Sequence, residues 1–266
     1  YISTPIYYPS GKPHIGHAYS TILADVINKY KKSIGYETFF VTGTDEHGKK
    51  IEETAKKYNV DVLSYLEQNV NCFKKLWSDL GIEFDYFSRT TNKQHVKTIQ
   101  KIFSIYLEKE LIYLSEWSGL YCVSCEENFT SKDAIKKNNE FFCNFGHKLI
   151  KTNEESYFFK MKNDEKWISN YFDKHNDFVY PLARINELKN NFINKGLNDL
   201  SISRSSFTWG IPILENKKHI IYVWMDALFN YLTALNFLTN NDELYQKFWN
   251  HDDAEIVHIL SKEITR

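Results

Sequence analysis

Apolar and polar positions follow two different periods over the first eighty residues. Residues 1–8 (YISTPIYY) and 37–44 (ETFFVTGT) are short apolar runs, which predict β-strands. After each run, apolar residues recur every three or four positions, which predicts helices over about 15–34, 49–58 and 61–80. The predicted buried side of the first helix consists of Ile22, Leu23, Val26, Ile27 and Tyr30.

Strands that alternate with helices predict an α/β fold with a doubly wound, Rossmann-like parallel sheet. The pattern becomes irregular over residues 117–216, and a strand followed by a helix returns at 219–238 (HIIYVWMDALFNYLTALNFL), with a further strand at 255–260. We therefore predict three parts: residues 1–116 as the first half of the sheet domain, 117–218 as an inserted connective domain, and 219–266 as the start of the second half.

Charge and hydropathy limit the classes of protein to which this sequence can belong. The net charge is −1, so any nucleic acid would be bound by local patches. The sequence has no apolar run of about 18 residues, so no membrane span is expected.

The four cysteines divide into one and three. Cys72 lies in a helical apolar pattern and is interpreted as a core or boundary thiol. Cys122 and Cys125 form a C-x-x-C pair, with Cys143 and His147 downstream, and an odd thiol set favours a metal over disulfides. Four such ligands predict a structural zinc knuckle over about residues 119–151, because no coordination position stays open for chemistry. The alternative is a reduced, metal-free loop.

A second candidate site follows the first strand, where the chain reads PHIGH. A helix that begins here presents free N–H groups and partial positive charge, which suits phosphate. Gly16 leaves room for a base against the backbone, and His14 and His17 are candidate donors to a triphosphate. The alternative is that His17 caps or packs and that His14 is a solvated loop residue.

Six ordered blocks extend this pattern: TPIYYPSGKPHIGHAY, FFVTGTDEHGKKI, GLYCVSCEENFT, DLSISR, WGIPI and YVWMDALFNYLTAL. Together they resemble the methionyl-tRNA synthetases, a family of class I aminoacyl-tRNA synthetases. The resemblance implies that methionine and ATP, accompanied by magnesium, give methionyl-adenylate, and that the methionyl group passes to tRNA(Met). It also implies that the zinc knuckle lies in the connective domain.

The resemblance assigns roles to individual residues. ATP binding and catalysis fall to His14 and His17, with Gly16 and Glu263 as further ATP contacts. Asp45 becomes the ligand of the methionine ammonium, with an N-cap of the next helix as its alternative role. The remaining methionine pocket consists of Ile6, Tyr8, Trp224, Ala227, Leu228, Tyr231 and Ile264. Trp224, Leu228 and Tyr231 are expected on one helical face, where the alternative is a stripe of core residues.

The end of the chain departs from the family. The segment HILSKEITR aligns with a block that usually reads G-K-D, so Ser261 and Glu263 replace the glycine and the aspartate. The K-M-S-K-S loop and the anticodon domain are expected to follow Arg266, so these residues alone are expected to be inactive. The expected compartment is the cytoplasm, or an organellar matrix if a targeting segment precedes residue 1.

Two other classes of protein share parts of this pattern. A coenzyme-forming nucleotidyltransferase carries a similar histidine turn, but it would lack the zinc knuckle and Trp224. A non-enzymatic zinc-ribbon protein that binds nucleic acid would use residues 122–147 alone and would not need the PHIGH turn.

Overall fold

Strands and helices alternate through the first part of the chain, as predicted. The computed structural model describes residues 1–125, 127–129, 131, 134–261 and 264. The first elements are β1 (Ile2–Tyr7), α1 (Ile15–Ser33), β2 (Phe40–Thr44), α2 (Lys49–Lys57), α3 (Val62–Asp79), β3 (Tyr86–Arg89) and α4 (Lys93–Glu108). Asp61 begins α3, where its carboxylate accepts the backbone N–H of Ser64 at 3.0 Å.

An antiparallel region follows. Its elements are β4 (Ile112–Cys122), β5 (Glu127–Phe129), β6 (Ile135–Lys137), β7 (Glu140–Phe142), β8 (Ile150–Phe159), α5 (Glu165–Lys174), α6 (Ala183–Asn191), β9 (Leu200–Ser201), β10 (Ser203–Arg204) and β11 (Ile220–Ile221). One sheet has the order β5-β4-β8-β9, with β4 and β8 paired from Ile112–Phe159 to Tyr121–Ile150. Strand β4 runs through the boundary predicted at 116/117, and the domain limits remain predictions.

The chain then returns to the parallel sheet. The last elements are α7 (Val223–Leu228), α8 (Asn230–Thr233), α9 (Glu243–Phe248) and β12 (Val257–His258). Strand β12 pairs in parallel with β1, so the sheet order is β12-β1-β2-β3. The chain thus winds outward from β1 to β3 and comes back on the other side of β1, which confirms the doubly wound fold. Ligands of such sheets bind beyond the carboxyl ends of the strands, where the order reverses. The candidate turn of the PHIGH segment leaves β1 at this place.

Helix α1 buries a different side from the one predicted. Its buried residues are Ala18, Thr21, Ala24, Asp25 and Asn28. The predicted core residues Ile22, Leu23, Val26 and Tyr30 are 41%, 40%, 56% and 61% exposed, and Ile27 is half-buried. Small side chains at 18, 21 and 24 let the helix approach the sheet closely, and Ala18 and Ala24 share a core cluster with Phe40 of β2 and Trp77 of α3. Periodicity found the helix but not the side that faces inward.

Among the residues that the structure describes, none of the helices combines the length and the apolar character that crossing a bilayer would require.

Candidate functional site

His14 is the N-cap of α1, an unusual position for histidine. Its Nδ1 accepts the backbone N–H of Gly16 at 3.1 Å, and the backbone N–H of His14 donates to Nδ1 of His17, also at 3.1 Å. The two side chains therefore form a reciprocal capping box made of imidazoles. The alternative in which His17 caps the helix is partly right, because its Nδ1 accepts the His14 backbone N–H.

These hydrogen bonds determine the tautomers of both histidines. A neutral imidazole has one N–H and one acceptor nitrogen, so a ring whose Nδ1 accepts carries its proton on Nε2. His14 and His17 thus each present an Nε2–H donor while their Nδ1 atoms complete the cap. The rings stack with centroids 3.8 Å apart, so the two donors lie side by side at the start of the helix. Capping and phosphate binding are compatible uses of these residues.

The surroundings of His17 keep its ring uncharged. The ring lies edge-on against Tyr7, with centroids 4.8 Å apart, and against Phe73 at 5.2 Å. Burial, reinforced by the neighbouring His14, lowers the pKa of His17 to about 4. At neutral pH the residue is a fixed neutral donor. Gly16 allows the His14 ring its position, since a Cβ at residue 16 would lie 2.9 Å from Cε1 of His14.

Asp45 lies at the carboxyl end of β2, beside the end of β1. Its backbone N–H donates to the carbonyl of Tyr7 at 2.9 Å. The expected N-cap role is wrong, because α2 begins at Lys49 and its N-cap is Gly48. Burial first, and then the neighbouring Tyr7 and Asp45, raise the pKa of Tyr231 well above its usual value. Asp45 and Tyr231 are therefore neighbours across the carboxyl edge of the sheet.

The other predicted pocket residues occupy three segments. Ile6 and Tyr8 are half-buried at the end of β1, and the Tyr8 hydroxyl donates to the His47 carbonyl at 2.9 Å. Trp224 is half-buried and stacks on Tyr222, with ring centroids 5.8 Å apart.

The expectation of one continuous helical face through residues 224–231 is wrong. Helix α7 ends at Leu228 and α8 begins at Asn230, so Tyr231 belongs to the second helix. Ala227 is half-buried, whereas Leu228 and Ile264 are 56% and 40% exposed. Glu263 lies outside the described residues.

The structure also brings together three residues that the sequence did not single out. Asp226, on α7 between Trp224 and Ala227, is 1% exposed. Its carboxylate contacts Nδ1 of His47 at 2.6 Å and Nε2 of His95 at 2.5 Å. The sequence feature that could have indicated this cluster is an acidic residue inside the apolar run VWMDALF.

The four predicted metal ligands converge in the antiparallel region. The Sγ atoms of Cys122, Cys125 and Cys143 and one ring nitrogen of His147 all lie within 4.8 Å of one another. A tetrahedral zinc with Zn–S bonds of about 2.3 Å would separate its sulfurs by about 3.7 Å. The Cys125 and Cys143 sulfurs are 3.8 Å apart, and Nδ1 of His147 lies 3.3 Å from Cys125 and 3.4 Å from Cys143. Both the donor set and the spacing fit a tetrahedral metal.

Electrostatics supports the same conclusion. Burial and the adjacent thiols raise the pKa of Cys125 well above its usual value. Without a cation, three thiolates in this space would repel one another, so a metal would be needed to ionise the set. The cluster closes a small core that includes Leu120, Phe129 and Leu149.

The structure combines a parallel sheet, a histidine-capped helix at its point of reversal and an insertion that carries a cluster of three cysteines and one histidine. This combination agrees with the class I synthetases that the sequence motifs resemble. The sequence profile of the family described as "tRNA synthetases class I (M)" matches residues 1–139 and 136–266. The chain belongs to this family. Neither of the two other classes accounts for a match that covers the entire chain.

Individual relatives agree with the family match. The chain is 52% identical over 267 residues to "Methionine--tRNA ligase" of Ureaplasma parvum and 48% identical over 268 residues to that of Mycoplasma pneumoniae. Both alignments cover 100% of this chain and 51% of the relative. A solved Mycobacterium tuberculosis methionyl-tRNA synthetase in complex with methionyl-adenylate superposes with a TM-score of 0.94 at 34% identity, covering 100% of this chain and 52% of that one. The chain thus spans about half the length of the relatives it matches.

Proposed function

We propose that the protein containing this chain is a methionine–tRNA ligase. It joins methionine to ATP, releases pyrophosphate, and transfers the methionyl group from methionyl-adenylate to tRNA(Met). The observation that carries this proposal is the meeting of two sites at the carboxyl edge of the sheet. The histidine-capped start of α1 follows β1, and Asp45 is hydrogen-bonded through its backbone to the last residue of that same strand.

His14 and His17 serve the nucleotide in this proposal. A methionine carboxylate oxygen attacks the α-phosphorus of ATP, and the bond to the pyrophosphate oxygen breaks. Negative charge then grows on the phosphoryl oxygens. Neutral Nε2–H donors beside a helix N-terminus stabilise that charge without giving up a proton. Magnesium would accompany ATP and neutralise part of the triphosphate charge. We assign Gly16 and Glu263 to the same nucleotide site.

Asp45 and the aromatic residues serve the amino acid. A half-buried carboxylate at a strand end is suited to bind the methionine ammonium through a charge-assisted hydrogen bond. Sulfur atoms contact aromatic rings favourably, so Tyr8, Trp224 and Tyr231 suit a thioether. We assign Ile6, Ala227, Leu228 and Ile264 to the remainder of this pocket.

The four-ligand cluster has a structural role in this proposal. Zinc held by Cys122, Cys125, Cys143 and His147 would stabilise the fold of the insertion and leave no position open to a substrate. The partners are then methionine, ATP and tRNA(Met). The compartment is the one in which such a tRNA is charged, either the cytoplasm or an organellar matrix.

Exchange of labelled pyrophosphate into ATP tests the proposal. The complete protein that contains this sequence should catalyse exchange only when methionine is added, with little exchange for leucine or isoleucine. His14→Asn provides the matched variant, since Asn caps a helix well but lacks the imidazole donor. It should fold normally and lose about 100- to 1,000-fold in kcat. Exchange that does not depend on methionine would refute the assignment.

A further inference from the structure

One buried carboxylate links the segments on which the proposed methionine pocket is built. Asp226 is 1% exposed, and both of its oxygens are bonded, one to His47 at 2.6 Å and one to His95 at 2.5 Å. The two histidines are themselves buried, at 6% and 4% exposure. None of the three residues has a role in the proposed chemistry.

The contacts of His47 connect this network to the turn that carries Asp45, the proposed ligand of the methionine ammonium. His47 follows Asp45 by two residues in the turn after β2, and its carbonyl accepts the Tyr8 hydroxyl at 2.9 Å. Its ring packs against Trp209, with centroids 5.5 Å apart. Trp209 holds the same turn through its backbone, since its carbonyl accepts the Gly48 N–H at 3.1 Å. A shift of the His47 ring would therefore move the turn that carries Asp45.

The contacts of His95 connect the network to the helices that carry Trp224 and Tyr231. His95 lies on α4, and its Nδ1 is 2.7 Å from the Thr233 hydroxyl on α8. Thr233 follows Tyr231 by two residues on the same helix. Asp226 itself stands between Trp224 and Ala227 on α7. Tyr8 is thus bonded to His47, and Asp45, Trp224 and Ala227 each lie within two residues of His47 or Asp226. Tyr231 lies two residues from Thr233, the partner of His95.

The charge of Asp226 makes this arrangement stiff. Burial opposes ionisation, but the two histidines outweigh it and keep the pKa of Asp226 below its usual value. An ionised carboxylate only accepts, so both imidazoles present N–H groups to it. Charge-assisted hydrogen bonds in a dry interior are strong and have narrow geometry.

We propose that Asp226, His47 and His95 form a positioning network that sets the spacing between the turn carrying Asp45 and the helices carrying Trp224 and Tyr231. This inference rests on the proposed function. The three residues act through the pocket wall, and they tune the affinity for methionine without touching the reacting atoms.

Steady-state pyrophosphate exchange on the complete protein tests the inference with two graded variants. Thr233→Val is isosteric and removes only the outer hydrogen bond, and His95→Gln replaces the rigid ring that joins Thr233 to Asp226 with a flexible amide. The KM for methionine should rise about threefold in the first and about tenfold in the second. The KM for ATP should stay within about twofold of wild type, because the nucleotide site begins at α1. The double variant should match His95→Gln alone, since both changes break one chain of bonds.

His219→Gln is the matched control. His219 is 1% exposed, and both of its ring nitrogens are bonded, to Ser203 and to Glu155 in the antiparallel region. A purely structural role for His95 predicts that the two glutamine variants lower melting temperature and active fraction alike, with the KM for methionine unchanged. That result, or parallel rises in both KM values, would overturn the inference. A wild-type protein without methionine-dependent exchange would instead refute the proposed function, and this inference with it.

Discussion

The rings of His14 and His17 stack with their centroids 3.8 Å apart, and the backbone N–H of the first donates to Nδ1 of the second at 3.1 Å. Burial, and then the neighbouring His14, lower the pKa of His17 to about 4. The same geometry that caps α1 thus keeps the His17 ring neutral and uses only the Nδ1 atoms of the two rings. Helix stability and the proposed phosphate site therefore depend on one protonation state.

The free energy of unfolding should depend on His17 in acid. Burial and His14 lower the pKa of His17 to about 4, whereas an unfolded histidine titrates near 6.5. Between these values the unfolded chain binds more protons than the folded one, so stability rises with pH. It is therefore lost as the pH falls from about 6.5 towards 4. Urea unfolding across this window measures the slope.

His17→Asn keeps an acceptor for the His14 N–H but does not titrate. Its slope should be smaller than that of the wild type by up to one proton. The control is His251→Asn, because His251 is an exposed residue of the loop before β12. An unchanged slope in His17→Asn would show that folding does not lower the pKa of His17.

Local patterns predicted the parts of this molecule that local physics determines. The helix over about 61–80 and the strand–helix alternation depend on neighbours in sequence, so they were predictable. The choice of buried face on α1 was not, because the helix carries an apolar stripe at 22, 23, 26 and 30 and a small-residue stripe at 18, 21 and 24. Only the tertiary packing decides between them, since Ala18 and Ala24 share a core cluster with Phe40 of β2 and Trp77 of α3.

The residues of the candidate site also differ in whether local sequence could predict them. The PHIGH turn and the C-x-x-C pair are contiguous motifs and were found. The partners of Asp226 lie 131 and 179 residues away in sequence, so nothing local indicates which histidines the carboxylate meets. The break between α7 and α8 at Phe229 was missed because the apolar spacing continues across it.

Metal analysis should find one zinc per chain. X-ray absorption should give three sulfur ligands at about 2.3 Å and one nitrogen. Cys125→Ser should lose the metal, whereas Cys72→Ser should keep it, because Cys72 lies on α3 outside the cluster. Chelation should expose the segment around the cluster to protease, since the metal joins both ends of its small core. Protein that contains no zinc, and whose Cys122 and Cys125 are freely alkylated, would contradict the site.

Gly43 should tolerate no side chain. It lies on β2 opposite Ser88 of β3, and a Cβ there would lie 2.1 Å from the Ser88 carbonyl oxygen. The obstructing atom is backbone, so relief requires β2 and the edge strand β3 to move apart. Gly43→Ala should therefore lower the free energy of unfolding by about 1–3 kcal/mol. Gly11→Ala is the control, because no atom lies within 4 Å of its Cβ position. Equal stability of the two variants in urea would contradict this packing.

Asp45→Asn tests the ammonium site most directly. A hydrogen bond to a charged group contributes roughly 1.5–3 kcal/mol, so its loss should cost about ten- to a few hundred-fold in kcat/KM for methionine. Asn keeps the shape of Asp, and the backbone bond from residue 45 to the Tyr7 carbonyl does not involve the side chain. The melting temperature should therefore stay near that of the wild type.

The structure removes the main competing explanation for such a loss. The N-cap of α2 is Gly48, so a defect in Asp45→Asn cannot arise from an uncapped helix. Asp61→Asn is a matched control, because Asp61 does cap a helix, and Asn caps about as well as Asp. Pyrophosphate exchange and thermal melts are measured on both variants in the complete protein. A selective loss of methionine activation in Asp45→Asn, with normal ATP affinity and normal melting, supports the ammonium contact. Near-normal exchange in that variant would assign the methionine ammonium to another residue.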